Sequence, residues 1–242
     1  MLDIIQSHTS TLLNGVILTI KITFISVIIA SILSIPLSVL RARSELYFKL
    51  PIKAFISFFR GTPLIAQLFL VYYGTGQFRP FLMDIGMWAF FRDPINCALL
   101  AFTLNSLAYQ TEILRGAIQS VNRGSIEAGR AMGMKSTLLY RRIIMPLAYR
   151  LAFPALGNEY ILMLKGSAVA SVITVMDLMG QTRRVFSQTF DISTYFIAAC
   201  LYLLITTGFV FFWHQIERII NRHLVYKKIS VNHRNSFQTG HS

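Results

Sequence analysis

The sequence predicts an all-α, polytopic membrane protein, and two features of its 242 residues carry this prediction. Hydrophobic residues make up 54% of the chain and charged residues only 14%, against roughly 45–50% and about 25% in soluble domains. In addition, four stretches contain no Asp, Glu, Lys or Arg: 22–40, 61–78, 94–111 and 192–216. A helix needs about 20 mainly apolar residues to cross a bilayer, and each stretch approaches or exceeds that length. A soluble enzyme or a soluble DNA-binding domain is therefore excluded.

Five membrane spans follow from these stretches and from one further segment. We place them near 15–40, 54–78, 94–118, 151–176 and 192–216. The fourth span is apolar except for Glu159 and Lys165, and its helical periodicity and length identify it. Pro36, Pro63 and Pro154 lie inside the spans, where we expect them to act as ordinary kinks.

Basic residues are distributed unevenly between the two sets of connections. The connections 41–60, 112–150 and 217–242 contain 17 Lys and Arg residues, whereas 1–20, 79–93 and 177–191 contain 4. Since cytoplasmic loops collect Lys and Arg, the N-terminus is predicted outside and the C-terminus in the cytoplasm. The net charge of +13 then requires no nucleic-acid partner. Residues 227–242 are polar and lack periodicity, so we expect a flexible cytoplasmic tail after a membrane domain over 1–226.

The longest cytoplasmic connection, about 120–149, is predicted to form two short amphipathic helices. The first helix covers 125–132, and Gly133 ends it by adopting a left-handed conformation. Ser136 is expected to cap the second helix, 137–145, and Pro146 to end it. The apolar faces of the two helices contain Ala128, Ala131, Met132, Leu138, Leu139, Ile143 and Ile144. Such a loop either covers the bundle at the membrane surface or docks onto a partner.

The residues of this loop resemble the EAA loop of ABC importer permeases. The family pattern is EAA, three residues, Gly, nine residues, Ile, one residue, Leu-Pro, and it is matched by Glu127, Ala128, Gly129, Gly133, Ile143, Met145 and Pro146. The spacing agrees throughout, with Gly129 in place of Ala and Met145 in place of Leu. Residues 60–64 resemble the RGTPL signature of polar amino-acid permeases, and parts of 105–117 and 158–165 resemble their third and fourth spans. The chain is most similar to the M-type permease subunit of histidine, basic amino-acid and opine importers.

This resemblance implies a five-helix type I ABC importer permease, multi-pass in the bacterial inner membrane, that imports polar and in particular basic amino acids or opines. Such a subunit is not an enzyme, and the sequence has no G-x-x-x-x-G-K-[ST] phosphate loop. ATP and Mg²⁺ would be bound by a partner, and no cofactor is expected on this chain. The implied partners are an ABC ATPase dimer, a second permease subunit (identical or homologous), a periplasmic substrate-binding protein and membrane lipid. The alternative is a stand-alone secondary transporter, although the sequence shows no inverted repeat.

Two groups of polar residues inside the spans are candidates for the substrate pathway. The first is Asn158 and Glu159. An ionisable group inside a membrane is costly unless it is paired or faces water, so Glu159 either faces a central cavity, where it attracts a cationic substrate, or pairs with another helix or subunit. Lys165 is six residues further along and lies on a different helical face, so the two do not pair directly.

The second group is Asn105, Tyr109 and Glu112, which share one face of the third span through their i, i+4, i+7 spacing. They either line the cavity or form hydrogen bonds between helices. The five histidines show no spacing typical of ligands, so no metal site is expected.

Overall fold

The computed structural model describes the backbone of residues 2–43 and 46–238 and the side chains of residues 7–42 and 49–220. All regular structure in these residues is helical, which confirms the all-α class. The helices are α1 (Leu2–Arg43), α2 (Leu46–Gly61), α3 (Leu64–Phe69), α4 (Arg79–Asp84), α5 (Trp88–Phe91), α6 (Pro94–Gln119), α7 (Arg123–Ala131), α8 (Ser136–Leu139), α9 (Met145–Gly166), α10 (Leu178–Thr189) and α11 (Ser193–Gln238). A π-helical turn (Leu70–Gly74) extends α3, a second π turn (Tyr140–Ile144) joins α8 to α9, and a 3₁₀ segment (Ser167–Ile173) extends α9.

Helix α6 forms the centre of the bundle, with α1, α2, α3 and α9 packed around it. Ala98, Ala101 and Ala108 on α6 are completely buried, because small side chains allow helices in a membrane to approach one another closely. One core cluster surrounds Phe102 in the first half of α6, and a second contains Leu114 near its end. The polar residues that α6 contributes to the interior are thus held between several helices.

By length and composition, two helices in the described part of the chain can each cross a membrane, over Ser7–Ala42 and Ser193–Ile220. The number rises to four if each of two bent pairs forms one span: Lys49–Gly61 with Leu64–Gly74, and Ser136–Ile173 with Leu178–Thr189. Helix α6, the predicted third span, has 26 residues and hence a length of about 39 Å. Helix α6 is not among these candidates, because buried polar residues such as Asn105 and Gln110 lower its mean hydropathy.

The prediction of one continuous span over 54–78 is wrong, because the chain breaks between α2 and α3. The two segments meet at an angle of 109°. Pro63 has extended backbone angles, φ −62° and ψ 138°, and its carbonyl accepts a hydrogen bond from the Gln67 N–H in the first turn of α3. A proline lacks an N–H and disfavours the helical conformation at the residue before it, so α2 does not continue through Thr62. Pro36 and Pro154 lie inside continuous helices, as expected.

Helix α11 extends into the predicted tail. Helix α11 runs to Gln238 and therefore includes residues 227–238, which the sequence predicts as flexible. The chain has no proline or glycine between residues 209 and 239, so no helix-breaking residue ends α11 at 227. Residues 239–242 of the predicted tail lie outside the described residues.

Candidate functional site

The loop between α6 and α9 begins with α7 and turns at a glycine. Asn122 accepts a hydrogen bond from the Gly124 N–H at 2.8 Å and caps the first turn of α7, which starts two residues earlier than predicted. At the other end, Gly133 has a φ of +75°. Its N–H donates to the Arg130 carbonyl and the following N–H to the Gly129 carbonyl, at 2.9 and 3.2 Å, which is the Schellman arrangement of a helix C-terminus. The predicted left-handed turn at Gly133 is confirmed.

The second half of the loop differs from the prediction in two respects. Lys135 rather than Ser136 occupies the N-cap position of α8, and Pro146 does not end the helix. The π turn Tyr140–Ile144 leads directly into α9, with Pro146 in the first turn of that helix. A π turn shifts the hydrogen-bond register by one residue. A proline in the first turn of a helix removes few backbone hydrogen bonds, because N–H groups in that turn have no acceptor inside the helix. Helix α8 is therefore continuous with the long helix α9.

The face of α7 that packs against the rest of the chain is not the predicted apolar face. Gly129 is buried, and a Cβ atom at this position would lie 2.5 Å from the Leu139 side chain and 2.8 Å from that of Ile143. Glycine in place of the Ala of the family pattern thus permits a close approach of α7 to α8 and the π turn. The exposed side chains of α7 and its C-cap include Glu127, Ala128, Ala131 and Met132. The predicted apolar face is consequently left uncovered by the residues that the structure describes.

A buried hydrogen-bond network joins α3 to α6 beside the chain break. Gln67 is 2% exposed, and its Nε2 donates to the Phe59 carbonyl and to the Thr62 hydroxyl, both at 2.8 Å. The Asn105 Nδ2 donates to the Gln67 Oε1 at 2.9 Å. These bonds stabilise the bend, because they satisfy a carbonyl left free where α2 ends. Gln67 was not among the predicted site residues, although it is a polar side chain inside a charge-free stretch, four residues after Pro63.

A second network surrounds Glu159 on α9. The Ser106 hydroxyl donates to the Glu159 Oε1 at 2.9 Å. The Gln110 Nε2 in turn donates to the Ser106 Oγ at 2.9 Å and to the Val27 carbonyl at 3.3 Å. Glu159 is 5% exposed, and among the described residues its hydrogen-bond partner is a neutral hydroxyl. Ser106 and Gln110 are separated by one helical turn, next to the predicted polar face of α6, and this i, i+4 pair is the signal that could have identified them.

Glu159 also lines a cleft of about 150 Å³ between α3, α6 and α9. The lining residues are Leu64, Asn105, Tyr109, Glu159, Leu162 and Met163. The structure therefore brings Glu159 together with Asn105 and Tyr109, two of the three residues that were predicted to share a face of the third span. The Arg60 guanidinium lies 5.2 Å from the centre of the Tyr109 ring, within the range of a cation–π contact.

Glu112 and Asn158, which were also candidates for the pathway, do not line this cleft. Glu112 forms an ion pair with Arg115, one turn further along α6. Asn158 is exposed on α9, although the neighbouring Glu159 is buried. Lys165 is likewise exposed and makes no ion pair with Glu159 in the described part of the chain, as the spacing predicts.

Residues 34–222 match the family model described as binding-protein-dependent transport system inner membrane component. The chain is 41% identical over 196 residues to the nopaline transport system permease protein NocM of Agrobacterium fabrum, with 81% of each chain covered. It is 42% identical over 226 residues to the histidine/lysine/arginine/ornithine transport system permease protein HisM of Salmonella typhimurium, covering 90% of this chain and 96% of that protein.

Two solved structures share the fold. The crystal structure of an amino acid ABC transporter with histidines gives a TM-score of 0.77 at 35% identity and covers 88% of this chain and 96% of that chain. An inward-facing structure of the MetNI methionine ABC transporter gives 0.74 at 20% identity, covering 88% and 98%. These similarities confirm the importer-permease fold that the loop residues implied. Because the family model spans most of the sequence and both relatives exceed 40% identity, the chain belongs to the family of binding-protein-dependent transport system inner membrane components.

Proposed function

We propose that this chain is the permease subunit of an ABC importer for basic amino acids or opines in the bacterial inner membrane, and that a separate ATPase hydrolyses ATP. The names of its relatives support this substrate class, since they refer to nopaline and to histidine, lysine, arginine and ornithine. The observation that carries the proposal is the geometry of the α7–α8 loop. This loop has an exposed face on α7, a fixed turn at Gly133 and a continuous helical connection to α9.

In this proposal the α7–α8 loop lies in the cytoplasm, on the side that holds 17 of the Lys and Arg residues, and the N-terminus lies outside. The exposed face of α7 docks into a groove on the ATPase, as amphipathic helices commonly do. Ala131 and Met132 provide the apolar contact and Glu127 a charged one. A second permease subunit and a periplasmic substrate-binding protein complete the transporter.

The continuous helix explains how the ATPase acts on the substrate pathway. Helix α9 begins at Met145, directly after the π turn, and reaches Glu159 fourteen residues later, a distance of about 21 Å along its axis. A movement of α8 is transmitted to the cleft because α8, the π turn and α9 form one continuous helical connection. ATP-driven movement of the loop then alternates the accessibility of the cleft.

The cleft has the chemistry required for a cationic substrate. An ammonium or guanidinium group needs hydrogen-bond acceptors, and the cleft offers the Glu159 carboxylate and the side-chain carbonyl of Asn105. Hydrogen bonds to charged groups contribute about 1.5–3 kcal/mol. The Ser106 hydroxyl donates a hydrogen bond to one carboxylate oxygen of Glu159 and thereby orients the carboxylate.

The proposal is tested by uptake into liposomes that contain the chain, its ATPase and a second permease, with the binding protein added outside. We expect ATP-dependent accumulation of labelled arginine or histidine, and no accumulation when the ATPase is omitted or a non-hydrolysable nucleotide is used. Leucine serves as the uncharged control substrate. Uptake by the chain alone, driven by an ion gradient, would instead identify a secondary transporter. Equal uptake of leucine would refute the assignment of a basic substrate.

A further inference from the structure

The segment between the first π turn and α6 carries a set of exposed apolar side chains that the proposed function does not use. We propose that this segment, residues 78–93 and here termed the α4–α5 loop, is a membrane-interface anchor whose apolar side chains insert among lipid headgroups and the adjoining acyl chains. The proposal depends on the chain crossing a bilayer and not on which substrate it carries.

Six large apolar side chains of the α4–α5 loop are between 41% and 64% exposed. They are Phe78, Phe81, Met83, Ile85, Met87 and Phe90. Surfaces that face water rarely expose so many large apolar residues in one short segment, and such patches mark contacts with protein or with membrane.

The α4–α5 loop has a defined conformation, so this exposure is a property of its fold. Leu82 is buried, and its carbonyl accepts a hydrogen bond from the Met87 N–H at 2.8 Å across a turn in which Gly86 has a φ of +73°. Asp93 caps the start of α6 by accepting from the Ile95 N–H at 2.9 Å. The exposed side chains are therefore held outward by a fixed backbone.

The α4–α5 loop lies at the level where the charge-free part of α1 begins. The Ser26 Oγ donates to the Leu99 carbonyl at 3.3 Å, so these residues of α1 and α6 lie at the same depth. The two helices run in the same direction, because Val39 and Leu114 meet in the second core cluster further along. The start of α6 precedes Leu99 by five residues, about 7.5 Å, and Lys21 precedes Ser26 by the same interval. Lys21 is exposed and directly precedes the charge-free stretch 22–40.

The chemistry of the α4–α5 loop favours a lipid surface over a soluble protein. The Arg79 guanidinium lies 5.2 Å from the centre of the Trp88 ring, and aromatic side chains with nearby Arg are typical of membrane–water interfaces. Arg79, Asp84, Arg92 and Asp93 give the segment no net charge. Insertion is therefore driven by apolar contact and aromatic side chains, and we expect it to be independent of anionic lipid.

The two tryptophans of the chain, Trp88 and Trp213, provide a direct test. The variant Trp213→Phe keeps Trp88 as the single reporter, and Trp88→Phe is the matched control that keeps Trp213, which lines an apolar groove between α1, α9 and α11. Each full-length chain is reconstituted in phosphatidylcholine vesicles, with and without phosphatidylglycerol, and its fold is checked by circular dichroism. We expect lipids brominated near the headgroup to quench Trp88 more strongly than lipids brominated near the acyl end, equally in both vesicle types. We expect the reverse order for Trp213.

Two results would overturn the proposal. Strong quenching of Trp88 by aqueous iodide, with none by brominated lipid, would show a water-facing surface suited to a soluble protein. Resistance of Trp88 to both quenchers would show that protein, either this chain or a second copy of it, and not lipid covers the ring. In the Trp213→Phe background, Phe81→Gln with Met83→Gln should shift Trp88 emission to the red and increase iodide quenching, whereas Phe81→Leu should change neither. Unchanged emission in the double Gln variant would also contradict insertion.

Discussion

Replacement of Gly133 by valine isolates the role of the turn in the α7–α8 loop. Gly133 has a φ of +75°, and a Cβ atom built on it would meet no heavy atom within 4 Å. The β carbon of the variant therefore meets no neighbouring residue. The expected effect of the variant arises from forcing a β-branched residue into the left-handed region, which glycine occupies without strain.

The cost of this conformation sets the expected magnitude. A residue other than glycine in the left-handed region is destabilised by about 1–3 kcal/mol. Because every 1.4 kcal/mol is a factor of ten, this cost corresponds to a factor of about 5–140 in a population ratio, and the docking-competent form of the loop should decrease by that factor. Gly133→Asn is the matched control, because Asn also lacks glycine's flexibility but tolerates positive φ. It should retain most of the activity.

Two measurements on the same preparations check this prediction. Co-purification with limiting ATPase reports docking, and ATP-dependent arginine uptake reports coupling. Both should fall for Gly133→Val and remain close to wild type for Gly133→Asn. The thermal stability of the isolated permease should change little, because the main contacts of α7 are with α8 and the adjoining π turn.

Normal co-purification and uptake for Gly133→Val would refute the reasoning that the left-handed turn presents α7 to the ATPase. Equal losses for the Val and Asn variants would show that the presence of any side chain matters, and not the backbone angle. Loss of thermal stability in Gly133→Val would place the effect in the bundle and not in docking.

Three further predictions concern the cleft, the loop surface and the core. Glu159→Gln keeps an acceptor for the Ser106 hydroxyl but removes the charge. Uptake of arginine should therefore fall about ten-fold or more, while the yield of the assembled complex stays unchanged. A loss of yield with normal uptake per complex would indicate a structural role. Met132→Asp places a charge at a position whose side chain is 68% exposed. Co-purification of the ATPase should decrease, while the melting temperature of the permease stays constant. Unchanged co-purification would exclude Met132 from the docking surface. Gly157→Ala places a Cβ atom in a clash with the Trp213 Nε1, and overpacking of this kind costs about 1–3 kcal/mol, which should lower the thermal stability of the purified chain. The same substitution in a Trp213→Leu background should cost less, and equal losses in both backgrounds would contradict the clash.

Sequence reasoning alone identified the features that depend on local residue order. The helical class follows from charge-free stretches, and the loop follows from a spacing pattern that includes Gly133 and ends at Pro146. Both are read from residues at most 25 positions apart along the chain, and a left-handed glycine after an amphipathic helix has a local cause. For the same reason, the sequence correctly kept Pro36 and Pro154 inside helices but gave no sign that Pro63 would behave differently.

The tertiary structure alone decided which polar side chains meet. The Ser106 hydroxyl and the Glu159 carboxylate are 53 residues apart in sequence, and Asn105 and Gln67 are 38 apart. Such pairs form because a polar group buried between helices must find a partner, but the choice of partner depends on how the helices cross. The 109° break at Pro63 similarly persists because the Gln67 side chain satisfies the carbonyl that the break leaves free. Local sequence sets where a helix can break, and packing against α6 determines that it does.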